Sequence, residues 1–505
     1  MKRKDGIPNF KRVFLYEVSM SNKDVIKGLK PEPLWRYFAE ICNIPHGSKN
    51  MSLITARLTE MLSSLKLKVK RDKIGNICAE VPASRGRESA PIVVLQAHID
   101  MVCEKNKSKR FDFLKDPILM TRDGDWIRAD GTSLGADNGI GVAAALAVAA
   151  EKDAVHGPLE ILLTVDEETG MTGAFNIEPS LVNGRMLINL DSEEMGAIYV
   201  GCAGGSSADV HLDVEWSDVR ERETAVKVTI EGLLGGHSGT DIHLGRGNAI
   251  KFLARMLKAG EKLGLRLVSL EGGNKHNAIP REAQAVCVIE ESKISELERI
   301  ASEKRELFLT ELDEGHSLQI KIKEQKAPAK ATTRDSTVKI LNLLVAVPNG
   351  VMSVSREIPG LVETSGTLAI ARLDGDGLSF LSSLRSSVES RLDNAMAQFG
   401  AIGQGIGAKV TITDGYPGWH PNMNSKLLRV VRESAKKTFG EEFAVTAIHA
   451  GLECGVLGSR IPEMEMVSFG PDIRNPHSPN EKVHIQSVEK FYKLLLKVLE
   501  ELSGR

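Results

Sequence analysis

The sequence is sparse in cysteine. Six residues, Cys42, Cys78, Cys103, Cys202, Cys287 and Cys454, are scattered over 505 positions with no CxxC pair. That spacing argues against a disulfide framework and a Cys-type zinc site, and the thiols read as reduced and structural. Charge of one sign is missing too. The 65 basic and 67 acidic side chains leave a formal net charge of −2, so no global field would draw nucleic acid or an anionic membrane. Long apolar runs are also absent. "GVAAALAVAA" (141–150) is Ala-rich and falls well short of the about 20 residues a membrane span needs. The basic N-terminus, "MKRKDGIPNFKRVFLYEVSM", has no continuous apolar core of the kind a secretion signal carries, so a cytoplasmic location is expected. There is no HExxH zinc helix and no GxSxG nucleophile elbow, and "GQGIGAK" (403–409) lacks the Ser or Thr of a phosphate loop.

What is present is length and core-forming material. A chain that is 42% hydrophobic and this long predicts two or more domains. Residues 1–19 read as an extension or disordered tail, because Met20 opens the segment leading to a helix at "PEPLWRYFAEI", with Pro near its first turn. From there to about residue 210, continuously apolar strands ("APIVVLQAHID", "PLEILLTVDEE", "GRMLINLDSEE") alternate with helices ("NMSLITARLTEMLSSL", "NGIGVAAALAVAAE"). This predicts an α/β domain with a mixed, mostly parallel sheet flanked by helices. Residues 211–413 change character. Alternating strands such as "AVKVTIEG" mix with amphipathic helices, and the order recurs in outline. They predict an inserted α+β domain, with two similar halves that show no sequence repeat. Residues 414–505 return to the first style and are expected to complete the first domain.

Polar residues gather at the strand ends. "VVLQAHID" ends in His98 and Asp100, "ILLTVDEE" in Asp166, Glu167 and Glu168, and "MLINLD" in Asp191. Asp137 in "SLGADNG" precedes a helix, and His477 in "NPHSP" follows a C-terminal strand. Taken singly, a His after a strand is usually a hydrogen-bonded structural group, and Asp137 reads as an N-cap. Together they converge on the crevice where α/β sheets hold ligands. Bare charges that close would be untenable, and divalent cations would stabilise them. His and carboxylate ligands without Cys suit zinc or a similar first-row metal, and the number of ligands suits two metals sharing one carboxylate.

The motifs "LQAHIDMV", "GTSLGADNGIG", "DEETGMTGAF", "NLDSEE", "GGHSGTDIHLGRGNA", "NAIPREA", "YPGWHP", "IHAGLECG" and "GPDIRNPHSP" resemble the aminoacyl-histidine dipeptidases. These are Xaa-His dipeptidases, or bacterial carnosinase-like enzymes, in the dinuclear zinc superfamily of carboxypeptidase G, aminoacylase and peptidase T. The resemblance extends from about residue 31 to the C-terminal helix. It implies two Zn2+ per chain, with Co2+ or Mn2+ as substitutes. His98 and Asp191 would hold one metal, Glu168 and His477 the other, and Asp137 both. Glu167 would be the general base, Asp100 would orient His98, and the Asp137–Asn138 peptide would be cis. In the inserted lid, His237 would stabilise the tetrahedral intermediate and Arg385 would grip the substrate carboxylate. Asn277, His449 and Glu453 would bind substrate. As residues alone, His237 in a Gly-rich turn and Arg385 on a strand also read as structural.

The implied function is metal-dependent hydrolysis of Xaa-His and other unblocked dipeptides. The alternative is a related dinuclear zinc amidohydrolase acting on tripeptides or N-acyl amino acids. The expected partners are small dipeptides, with no nucleic acid and no membrane. Relatives often dimerise through the lid, which makes a homodimer one expected assembly.

Overall fold

The computed structural model describes residues 20–504. The expected N-terminal extension, residues 1–19, lies outside the described residues. The chain forms two compact units. The first runs up to Tyr199 and takes in Asn424–Val445 and the chain from Leu457 onward, and the second comprises Val200–Met423 and Thr446–Val456.

The first unit holds most of an eight-stranded sheet, whose last two strands continue into residues of the second. Its order is Lys68–Arg71, Ile77–Val81, Leu159–Thr164, Val93–His98, Met186–Asn189, Glu465–Ser468, Ala197–Cys202, Ala444–Ile448. The four strands from Leu159–Thr164 to Glu465–Ser468 are parallel, and antiparallel strands flank them on both sides. Parallel order is therefore a property of the centre of this mixed sheet. Every residue of Val93–His98 and Leu159–Thr164 is buried, as expected of strands covered on both faces. Helix Ala136–Ala150 packs against Val93–His98 and against helix Glu32–Cys42. Its small residues permit this close approach: a Cβ on Gly139 would come within 3.0 Å of the Phe38 ring. Because the four central strands share one direction, their carboxyl ends lie along one edge of the sheet.

The second unit holds a nine-stranded antiparallel sheet. Eight of its strands form a path in the order Gln319–Gln325, Glu223–Glu231, Ala283–Glu290, Arg266–Gly272, Val362–Asp374, Gly377–Ser386, Gly204–Leu212, Lys409–Tyr416. The path contains the two halves that the sequence suggested. In each, strand–helix–strand–strand–helix–strand folds with its fourth, first, third and second strands side by side, and the second strands of the halves pair with each other. One half, residues 223–325, is nested within the other. Its first strand, Glu223–Glu231, opens after Gly204–Leu212 has begun the outer half. Leu253, Phe308, Leu341 and Phe399, one from each of the four helices, enter a single core with the sheet, so the helices cover one face. Among the described residues no helix is long and apolar enough to cross a membrane.

Candidate metal centre

Three of the parallel strands, and the loop following the fourth, deliver acids and histidines to the same edge. His98 is the last residue of its strand and is 1% exposed. Its Nε2 lies 3.0 Å from Asp137 Oδ1 and 3.3 Å from Asp191 Oδ1. His477 Nε2 lies 3.0 Å from Asp137 Oδ2 and 3.0 Å from Glu168 Oε2. Asp137 thus turns one oxygen to each histidine. Two metal-competent groups result, His98–Asp137–Asp191 and Asp137–Glu168–His477, which share Asp137; a third, His98–Glu167–Glu168, overlaps them. The Asp137–Asn138 peptide is cis. Asn138 Nδ2 donates to Asp191 Oδ1 and, at 3.1 Å, to Leu190 O.

The acidic turn 166–168 bends as neighbouring side chains with different directions require. Asp166 adopts φ +53°, a left-handed conformation uncommon outside glycine. Its Oδ1 accepts the Lys49 amide at 2.5 Å. Asp100 fixes the next two residues: its buried carboxylate accepts the amides of Glu167 at 3.0 Å and Glu168 at 3.2 Å, and the Ser48 hydroxyl at 2.8 Å. The sequence reading had Asp100 hydrogen-bonding and orienting His98. The nearer acceptor for His98 Nδ1 is the Asp100 main-chain oxygen, at 3.0 Å, with the carboxylate at 3.5 Å. The carboxylate is committed mainly to the acidic turn.

The electrostatics call for positive charge. Hydrogen bonds to Asp137 and Glu168 push the His477 imidazole up to about 11. His98 is fully buried, which disfavours its charged form, yet Asp191, Asp100 and Asp137 hold it well above its ordinary value. Burial raises Asp191 to about 6, and burial with the charges of Asp137 and Asp191 raises Glu193 to about 8. Glu168 Oε1 is buried and lacks a hydrogen-bond partner. Such an oxygen is costly unless a cation takes it, so the donor set fits divalent metal.

The other site candidates lie in the second unit, where several of them cluster. His237 Nδ1 accepts the amides of Gly239 at 3.2 Å and Thr240 at 3.0 Å. Its proton therefore resides on Nε2. Burial and the Arg385 charge lower its pKa, which keeps the ring a neutral donor. Arg385 is buried, with Nη1 donating to the Tyr416 hydroxyl at 2.7 Å and Nε buried without an acceptor. Tyr416 reaches that position between two glycines. A Cβ on either Gly205 or Gly451 would come within 2.7 Å of its ring. His449 Nε2 lies 2.8 Å from the Ser365 hydroxyl. Burial and Arg385 push its pKa down to about 3. Gly239 marks where these groups meet: a Cβ there would lie 3.1 Å from the His237 ring, 3.2 Å from Arg385 Nε and 2.3 Å from His449 O. Asn277 is adjacent, its carbonyl accepting the Ser238 amide at 2.8 Å. Glu453 is fully buried in the first turn of Glu453–Arg460.

The sequence reading missed Ser48, Glu193, Tyr416 and Glu481, and named Asn138 only for its cis peptide bond. Asn138 and Glu193 stand in the motifs of Asp137 and Asp191, already singled out. Tyr416 opens "YPGWHP", and Glu481 follows His477 by four residues. Ser48 carries no local signal, because only the fold brings it to Asp100.

The model of peptidase family M20/M25/M40 matches residues 94–501. The chain belongs to this family. It is 42% identical over 482 residues to the cytosol non-specific dipeptidase of Escherichia coli, covering 94% of this chain and 99% of that one. It also matches the crystal structure of aminoacylhistidine dipeptidase from Vibrio alginolyticus, with TM-score 0.88 and 40% identity over 94% of this chain and 98% of that one. A tripeptidase from Staphylococcus aureus shares the fold, with TM-score 0.55 and 16% identity over 94% of this chain and 100% of that one.

Proposed function

We propose that this M20-family peptidase is a dipeptidase that hydrolyses unblocked dipeptides, Xaa-His among them, with two metal ions per chain. Zn2+ is the proposed metal, with Co2+ and Mn2+ as substitutes. The observation that carries the reading is Asp137, whose two oxygens face two separate His–carboxylate sets. His98 and Asp191 would hold one ion, Glu168 and His477 the other, and Asp137 both. The names of the Escherichia coli and Vibrio relatives support dipeptides as the substrate class. The name of the former supports a cytoplasmic location.

Metals held there would supply an acidified water and polarisation of the scissile carbonyl. Glu167 takes the proton from the attacking water and returns it to the leaving amine. Asp100 holds the turn that aims Glu167. His237 Nε2–H donates to the developing oxyanion, and Arg385 binds the free carboxylate. Asn277, His449 and Glu453 are assigned to the substrate-binding surface of the second unit, and the assembly is a monomer or a homodimer.

Metal analysis of purified protein should give about two ions per chain, as two-metal sites require. Chelation should abolish hydrolysis of Xaa-His and Xaa-Gly dipeptides, and added Zn2+ should restore it. Cleavage confined to tripeptides or N-acyl amino acids would overturn the substrate class. Full activity in metal-free protein would overturn the chemistry.

A further inference from the structure

Glu481 is an acid that the reaction does not use, yet it is 2% exposed in the first unit. Its Oε2 accepts the amides of Leu134 at 2.7 Å and Gly135 at 3.0 Å, and its Oε1 those of Ala136 at 2.7 Å and Asp137 at 3.3 Å. These four consecutive donors run up to the cis Asp137–Asn138 peptide, and the backbone is non-helical at Asp137 and Asn138 before the helix continues to Ala150, so Glu481 partners amides ahead of the regular helix. Gly135 at φ +71° lets successive amides converge on one anion, as in a nest. A Cβ there would press on Met101 Sδ at 3.0 Å and His46 Nε2 at 3.2 Å.

The other end of Glu481 belongs to the His477 loop. That loop joins the paired strands Ile473–Arg474 and Lys482–His484, and the latter also pairs with Trp126–Ala129. Within it Asn475 and His477 both have positive φ, +53° and +56°. Such conformations persist in non-glycine residues where surrounding contacts hold them. One side chain therefore links the loop carrying His477 to the backbone carrying Asp137. Both residues belong to the Asp137–Glu168–His477 group, while the carboxylate of Glu481 is occupied by backbone donors.

We propose that Glu481 is a positioning residue for the candidate metal centre: by gathering the amides of residues 134–137 it fixes the carboxylate of Asp137 relative to His477. The inference rests on the two-metal reading above. A purely structural cap would affect folding and leave the metal affinity of the folded protein intact. A positioning residue sets that affinity.

Metal-stripped wild-type protein and E481Q are titrated with Zn2+ against a chromophoric chelator, well below the melting temperature of each. Glutamine keeps one acceptor and turns an NH2 toward two of the amides. Folded E481Q, with an unchanged far-UV CD spectrum, is expected to bind Zn2+ about 10–100-fold more weakly, the usual effect of losing a group that orients ligands. Wild-type affinity at both sites in folded E481Q would overturn the proposal. Should E481Q fail to fold, E481D keeps both oxygens on a shorter arm. It is expected to show weakened binding, and unchanged affinity there overturns the proposal equally. Wild-type protein that binds no Zn2+ would remove the two-metal reading itself, whereas two ions in wild type with an unaffected variant would remove only the role of Glu481.

Discussion

Glu167→Ala is expected to lower kcat/KM for dipeptides by at least ~10²–10⁴, the range a positioned general acid–base group contributes, while the protein keeps its metal. The contrast with the next residue makes this informative. Glu168 Oε2 faces His477 at 3.0 Å, as a ligand would, and Glu168→Ala should lose metal along with activity. Adjacent strand residues ordinarily point to opposite faces. Here the left-handed Asp166 and the double amide bond to Asp100 replace the strand with a turn, so both acids can serve one site. Metal content and steady-state rates measured on the same preparations decide the matter. An active Glu167→Ala enzyme, or one that has lost its metal, would exclude Glu167 as the base.

The convergence of these acids and histidines is legible in the sequence because strand direction converts a one-dimensional pattern into a place. Four apolar runs of parallel-strand character all finish at one edge, and each hands its next few residues to that edge. An acid or histidine at His98, Glu168 or Asp191 is therefore near the others before any coordinate is known, whereas His477 is brought there by the loop between Ile473–Arg474 and Lys482–His484. The second unit is legible more coarsely. Its strand Glu223–Glu231 falls on the expected "AVKVTIEG". The fourth–first–third–second strand order depends on pairing between residues far apart in sequence, such as Val226 with Cys287 and with Glu324, which periodicity does not encode. Single hydrogen bonds are harder still. Nothing in "QAHID" reveals that the Asp100 carboxylate turns to the amides of residues 167 and 168 rather than chiefly to His98. Those amides belong to the turn that follows another strand, 67 and 68 residues away. Glu481 is hidden for the same reason, since its partners lie 344 to 347 residues earlier.

His237→Ala is expected to lower kcat by ~10²–10³ with little change in KM, the size of effect seen when one oxyanion donor is removed. The tautomer argument sets this apart from a general loss of packing. Two backbone amides point at Nδ1, so the ring presents a proton at Nε2. Burial and Arg385 keep its pKa below the ordinary imidazole value. A pKa lowered this way leaves the ring neutral above about pH 6.5, its unperturbed value. The donor is then present throughout the neutral and basic range, and its removal should lower the pH–rate profile uniformly there without shifting a limb. Arg385→Ala should show the opposite kinetic split, because a carboxylate clamp engages the ground state as well as the transition state. Its KM should rise for free dipeptides, and the variant should no longer discriminate a dipeptide from its C-terminal amide. Arg385→Lys should rescue this poorly, since an ammonium cannot reproduce a planar guanidinium that holds the Tyr416 hydroxyl with one nitrogen and leaves Nε free for an anion. If His237→Ala raised KM and left kcat intact, the imidazole would be a ground-state binding group and the oxyanion donor would have to be sought elsewhere.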